Sequence, residues 1–211
     1  MVSLQQSKFR YLQGQNPFPQ QKHEDVKMTS SQQEHDGMAS NGKFTALPWE
    51  SMASVAVFPS YKFQRFDARI PLIKGHQGAI TDIAFSPFHD GLLSTASEDG
   101  KIKLWLIPDE GVQEITKEED MELLGHTKKV MAVRWHPIAE NVLASYSVDG
   151  CVKIWDVANG TAGINYSGHT TLPTAMRWSP RGDVLGMMLK GHQMTFIDPR
   201  KEDSVLTSAS H

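Results

Sequence analysis

The chain has 211 residues, 39% hydrophobic and 21% charged, with a mean hydropathy of -0.38: enough apolar material to bury a core, in the balance of a soluble globular protein. No apolar run approaches the ~20 residues that would span a membrane, and the polar start Met1-Val2-Ser3-Leu4-Gln5-Gln6-Ser7-Lys8 lacks the apolar stretch of a signal peptide. The net charge of -3 argues against a general nucleic-acid binder, and a single cysteine, Cys151, excludes an internal disulfide and points to the reducing cytoplasm.

Charge is unevenly spread. Residues 1–74 hold nine Lys/Arg against six Asp/Glu, a local +3 that leaves -6 for the remainder, which suits an acidic partner as well as a solvated surface. In chain order, residues 1–23 form a polar, Gln-rich opening. Ser30 to Gly37 reads as loop, Lys43 to Trp49 and Ser54 to Pro59 as strands, and Ile70 to Lys74 as a final outer strand, so that 24–74 makes one small sheet.

A repeat then begins. Gly-His recurs at Gly75-His76, Gly125-His126 and Gly168-His169, and 29 positions separate both His76 from Trp105 and His126 from Trp155. Each unit reads as strand, strand, tight turn, strand. Ile80 to Phe85 and Val130 to Trp135 are closed by Pro87 and Pro137; Leu92 to Ser97 and Val142 to Ser147 run into turns at Asp99-Gly100 and Asp149-Gly150; Lys101 to Trp105 and Cys151 to Asp156 alternate after them. The units resemble WD repeats. That resemblance implies an all-β fold, a partial WD-repeat β-propeller of about four blades from an expected ring of about seven: a degenerate first blade at 24–74, WD blades at 75–124 and 125–167, and a degenerate one at 168–211. Because Ser210-His211 falls 42 positions after His169, the last residues read as the start of another blade. An arc with two uncovered ends is expected to be marginally stable or to associate.

Ser97, His76 and Asp99 supply the residue types of a hydrolase triad. Ser147, His126 and Asp149 repeat them at the same offsets, with Trp105 and Trp155 six positions after each Asp, and an active site is rarely built once per blade. The WD resemblance implies instead a structural network in which the turn Asp accepts from the loop His, the His meets the strand Ser, and the Trp supports both. In the last unit, aligned on its aromatic closure, Lys190 replaces the Asp, Met188 the Ser and Phe196 the Trp; that blade is expected to rest on Met176, Trp178, Leu185, Met187 and Phe196 and to be locally weakest. His23, His35, His89, His136 and His192 lack metal-ligand spacing, and no phosphate-binding glycine loop is present, so no metal, no cofactor and no enzyme activity is expected.

Beyond the repeats, Ser7-Lys8-Phe9-Arg10-Tyr11 with Gly14-Gln15, Glu24-Asp25-Val26-Lys27-Met28, Asn41-Gly42-Lys43-Phe44, Gly125 to Val130 and His136 to Leu143 are similar to motifs of the coronin family, over nearly the whole chain. The resemblance implies a cytoplasmic, actin-cytoskeleton protein that binds actin filaments and tunes the complex nucleating actin branches, with Lys27 as a filament contact and Lys8 and Arg10 as further candidates. Many coronins carry a Gly-rich run where this chain has Glu50-Ser51-Met52-Ala53-Ser54, and the family's further blades, packed extension and C-terminal oligomerisation coiled coil are absent. A WD-repeat scaffold or adaptor in another multiprotein assembly is the alternative, and a hydrolase using His76, Ser97 and Asp99 would need them in an open cleft. Fifty residues separate Gly75 from Gly125 against 43 from Gly125 to Gly168, so blade two carries an acidic insertion (Asp109, Glu110, Glu114, Glu118, Glu119, Asp120, Glu122) that is either a solvated loop or a contact for a basic partner.

Overall fold

The computed structural model describes residues 22–28, 37–66, 69–167, 173–190 and 193–201 and the backbone of 205–209. The opening motif with Lys8 and Arg10, the loop 30–36 and the third Gly-His pair lie outside the described residues.

Four antiparallel sheets follow one another along the chain, each a meander in which neighbours in sequence are neighbours in space. The first holds β1 (Ala39–Ser40), β2 (Phe44–Pro48) and β3 (Val55–Pro59). The second holds β4 (Ile80–Phe85), β5 (Leu92–Ser97), β6 (Ile102–Leu106) and a short β7 (Met121–Leu123). The third comprises β8 (Val130–Trp135), β9 (Val142–Ser147), β10 (Val152–Asp156) and β11 (Thr161–Tyr166). The fourth comprises β12 (Pro173–Trp178), β13 (Leu185–Leu189), β14 (Gln193–Ile197) and β15 (Val205–Ala209). This is a WD-repeat propeller architecture with four blades, and β4, β8 and β12 each carry a bulge at the same place, after Ile80, Val130 and Pro173. The β5–β6 and β9–β10 turns close on Gly100 and Gly150, whose φ of 82° and 80° suits glycine. In blade one the segment 70–74 forms only two isolated bridges at Ile73, to Val55 and to Thr116, in place of the expected outer strand.

The blades bury both faces. Leu93, Trp105 and Ile107 of blade two meet Phe44, Val55 and Val57 of blade one. On its other face Ala96, Ile102 and Leu104 meet Val133, Leu143 and Trp155 of blade three, whose far face packs Tyr146, Val152 and Ile154 on Met176, Leu185 and Ile197 of blade four. With both sides covered, the strands read as near-continuous apolar or small-residue runs rather than strict alternation.

Polar ties cross the same seams. The Trp135 indole N–H donates to Ala84 O (3.2 Å) and Ser94 Oγ (3.0 Å), and one blade on the Trp178 N–H donates to Arg134 O (3.1 Å). His136, in blade three, accepts the N–H groups of Ile138 (3.2 Å) and Ala139 (2.8 Å) at Nδ1, so its Nε2–H donates to Gly182 O in blade four (2.9 Å). Between blades two and three, the buried Asp82 carboxylate accepts from Val133 N (2.9 Å) and Ile83 N (3.0 Å) and pairs with Arg134. Burial pushes its pKa up to about 6, against the opposing pull of Arg134 and the N–H groups of Val133 and Ile83.

Three expectations change. The acidic insertion is tied into the fold at four of its seven acids: Asp109 pairs with Lys43 (2.6 Å), Glu119 and Glu122 with Lys103 (2.8 and 3.2 Å), and Asp120 accepts from Leu106 N (2.6 Å). Thr116 bonds to the backbone of Leu72 and Lys74, fastening the insertion to blade one. The closure of the fourth blade is also one residue later than its aromatic suggests. Leu185 pairs with Ile197 as Leu143 pairs with Trp155, so Ile197 takes the buried place and Phe196, on the opposite face by the two-residue period of a strand, is 38% exposed. Finally, only one end of the arc is open among the described residues. The face of blade one away from blade two buries Leu47, Trp49, Ala56 and Phe58 under Phe66 and Leu72, whereas the corresponding face of blade four leaves Met188, Met194 and Phe196 exposed.

That open face generates one prediction. Sedimentation velocity of the chain is expected to show concentration-dependent association that Met194→Lys with Phe196→Lys reduces, whereas Leu143→Ala, inside a seam, costs about 2–5 kcal/mol of stability; a monomer unaffected by the lysines contradicts it. Asp82 generates another. Its folded pKa lies above the ordinary 3.8, so the penalty for its charge is present above pH 6 and is relieved as pH falls toward 4. Chemical unfolding over that range should therefore show the wild type gaining stability relative to Asp82→Asn.

Candidate functional site

Two places carry the residues singled out from the sequence. In blade two, His76 Nδ1 lies 2.9 Å from Asp99 Oδ2, and its Nε2 lies 2.8 Å from Thr95 Oγ1, which also accepts the Trp105 indole N–H at 2.9 Å. Blade three repeats this: His126 Nδ1 to Asp149 Oδ2 3.0 Å, His126 Nε2 to Ser145 Oγ 2.7 Å, Trp155 Nε1 to Ser145 Oγ 2.7 Å. Because the indole can only donate and an ionised carboxylate only accept, the protons are assigned in one direction, Trp to hydroxyl to His to Asp. Backbone N–H groups complete each carboxylate: Gln77 and Lys101 for Asp99, Thr127 and Cys151 for Asp149.

Ser97 and Ser147 are not the hydroxyls in these chains. Trp105 sits across from Leu93, so Thr95 is its diagonal neighbour, while Ser97 lies a further ~6–7 Å along the strand toward the turn. There Ser97 Oγ accepts Asp99 N (3.3 Å), and Ser147 Oγ accepts Asp149 N (3.2 Å) while donating to Lys128 O (3.0 Å). A Ser or Thr two positions before the candidate was the signal available in the sequence. In blade four the same register puts the buried Met187 at the Ser145 position.

The glycine of each Gly-His pair serves the same assembly. A Cβ on Gly75 would stand 2.4 Å from the Trp105 ring, and one on Gly125 3.2 Å from that of Trp155, so the indoles close over bare backbone. Burial pushes the Asp99 carboxyl up, but the His76 hydrogen bond and the Gln77 and Lys101 N–H groups outweigh it and hold the pKa well below the usual range. Asp149 is lowered in the same way, burial being outweighed by the Thr127 N–H and His126, while burial keeps the His126 imidazole below its ordinary value despite Asp149. Though Thr95 or Ser145, His and Asp reproduce the order of a hydrolytic triad, both hydroxyls are fully buried and already accept an indole N–H. They cannot meet a substrate, so the hydrolase reading of this constellation fails. Among the described residues no three His, Cys, Asp or Glu side chains are grouped to hold a metal, and no helix is long and apolar enough to cross a membrane.

The second place is a strap, residues 22–28, that bridges blade one at both ends: Glu24 to Arg65 and Met28 to Trp49. Its charges are tied locally. Lys22 pairs with Glu24 (2.7 Å), Asp25 with Arg65 (2.5 Å) and Lys27 with Glu50 (2.7 Å), all solvent-exposed. Lys27 O also accepts Glu50 N (2.9 Å), and Glu50 has a φ of 45°, a left-handed residue in the run that replaces glycines.

Comparison with known proteins gives this geometry a lineage. A WD domain, G-beta repeat profile matches residues 69–105 and 118–156, the two blades with complete hydrogen-bond chains, and a domain of unknown function (DUF1899) matches residues 3–65. Over 97% of its length the chain is 32% identical to a coronin-like protein of Saccharomyces cerevisiae, and over 79% it is 35% identical to human coronin-7. A crystal structure of the WD40 domain of Toxoplasma gondii coronin superposes on 90% of the chain with a TM-score of 0.83 at 30% identity. The chain belongs to the coronin family. It spans 33% of the yeast coronin-like protein, 18% of coronin-7 and 49% of the Toxoplasma coronin chain. In this coronin, the family's blade chemistry stands complete in blades two and three, and its departure at Glu50 is accommodated by a non-glycine residue at positive φ.

If the one-way hydrogen-bond chain holds each blade together, Ser145→Ala should cost about 1–3 kcal/mol in urea unfolding, because Trp155 and His126 each lose a buried partner. Thr95→Val should do the same in blade two. Equal effects from Ser97→Ala and Thr95→Val would contradict the assignment.

Proposed function

We propose that this coronin-family chain contributes to binding actin filaments, in the cytoplasmic actin cytoskeleton, and through them to the regulation of branched-filament nucleation. The observation that carries the reading is the strap of blade one, which belongs to the part of the chain shared with coronins and presents Lys27 at the surface, 43% exposed at its side chain. Filaments are acidic, and a lysine whose backbone carbonyl is tied to Glu50 N on blade one meets such a surface with less ordering cost than one on a free segment. Lys8 and Arg10 are proposed as further contacts from the family's opening motif.

Of the basic residues before the repeats, Lys22, Lys27, Lys43 and Arg65 already have acidic partners within the fold. The electrostatic part of binding therefore depends on exchanging internal partners for filament carboxylates, which makes it weak and sensitive to salt. Cosedimentation with actin filaments is expected to fall steeply between about 0.05 and 0.2 M salt. Lys27→Glu should lower it severalfold at the lower salt, with no change in thermal stability beyond about 0.5 kcal/mol. Binding that ignores both salt and Lys27→Glu removes Lys27 as a contact; no binding in any condition favours a scaffold role in another assembly.

A further inference from the structure

We propose that Glu50 is an internal counter-ion that occupies Lys27 and has to be displaced when an acidic surface docks on the strap, so that it sets the affinity of the site from within. This rests on the reading of Lys27 as a contact for an acidic partner.

Three observations converge on the pair. Glu50 Oε1 lies 2.7 Å from Lys27 Nζ, and the Glu50 N–H donates to Lys27 O at 2.9 Å, so side chain and backbone both hold the two residues together across 22 intervening positions. Glu50 does this at φ 45°, a conformation that glycine adopts freely and a glutamate only at a conformational cost. The pair is also open to solvent, with side chains 43% and 50% exposed, so it contributes little to stability and can be opened cheaply. A carboxylate that stabilises the fold weakly, sits in an unfavourable backbone region and neutralises Lys27 acts as a competitor for whatever carboxylate arrives from outside. The tight turn around it, with Trp49 N bonded to Ser54 O (2.9 Å), keeps that competitor in place.

Removing the charge should therefore strengthen binding. Glu50→Gln is expected to raise affinity about two- to fivefold at low salt, the range open to an exposed ion pair. The gain should vanish at high salt and be absent when Lys27→Met is made alongside. Glu50→Gly should match it, and should not lower the melting temperature, since glycine relieves the positive φ. Two probes keep this separate from the filament reading: actin filaments, and poly-L-glutamate as a generic acidic chain, each titrated with wild type, Glu50→Gln, Glu50→Gly and the Lys27→Met, Glu50→Gln pair. A Lys27-dependent gain on poly-L-glutamate upholds the counter-ion role even if filaments fail to bind, in which case only the filament reading falls. Unchanged affinity for poly-L-glutamate in both Glu50 variants, or a gain that survives Lys27→Met, overturns it.

Discussion

Every described seam of this molecule depends on one constraint: a sheet packed on both faces has no solvent side and must be covered by its neighbours. Blades two and three meet that condition through interleaved apolar rows, Ala96, Ile102 and Leu104 against Leu143 and Trp155, then Tyr146, Val152 and Ile154 against Met176, Leu185 and Ile197. The first blade meets it with its own flanking residues, since Phe66 and Leu72 lie over Trp49 and Phe58. The fourth blade carries the same apolar pattern on its far face, at Met188, Met194 and Phe196, and there the described residues leave it uncovered.

Within such a dry stack most polar side chains are held in sets, although the Tyr146 hydroxyl and Thr195 Oγ1 are buried without a hydrogen-bond partner among the described residues. The Trp-to-hydroxyl-to-His-to-Asp chains of blades two and three satisfy every member in one direction and end on a carboxylate held by backbone N–H groups. Between blades, the indole N–H groups of Trp135 and Trp178 reach carbonyls of the preceding inner strand, and Asp82 with Arg134 bridges the seam between blades two and three. The fourth blade abandons the chain, with Met187 where the hydroxyl would stand, and relies on packing. The arrangement resembles a catalytic triad in residue types alone; its geometry serves cohesion.

Charge follows a different logic at the surface. Part of the basic character of the first third and of the acidity of the insertion is paired within the fold: Lys43 with Asp109, Lys103 with Glu119, Lys27 with Glu50. Exposed pairs such as Lys27 with Glu50 contribute little to stability and open at small cost.

The repeat, the strand order and the tight turns were legible in the sequence, because each depends on a spacing of two, six or 29 residues that the chain carries locally, and the pairing of the loop His with the turn Asp followed from the WD resemblance. The family was legible through the resemblance of motifs such as Ser7 to Tyr11 and His136 to Leu143 to those of coronins. Tertiary structure alone decided that Thr95 and not Ser97 joins His76, that Ile197 and not Phe196 closes the fourth blade, that Glu119 and Glu122 of the insertion pair with Lys103, and that Glu50 holds Lys27. Those outcomes depend on cross-strand register and on approaches between residues distant along the chain. A one-residue difference in register exchanges the two faces of a strand, and neither composition nor motif spacing can express that.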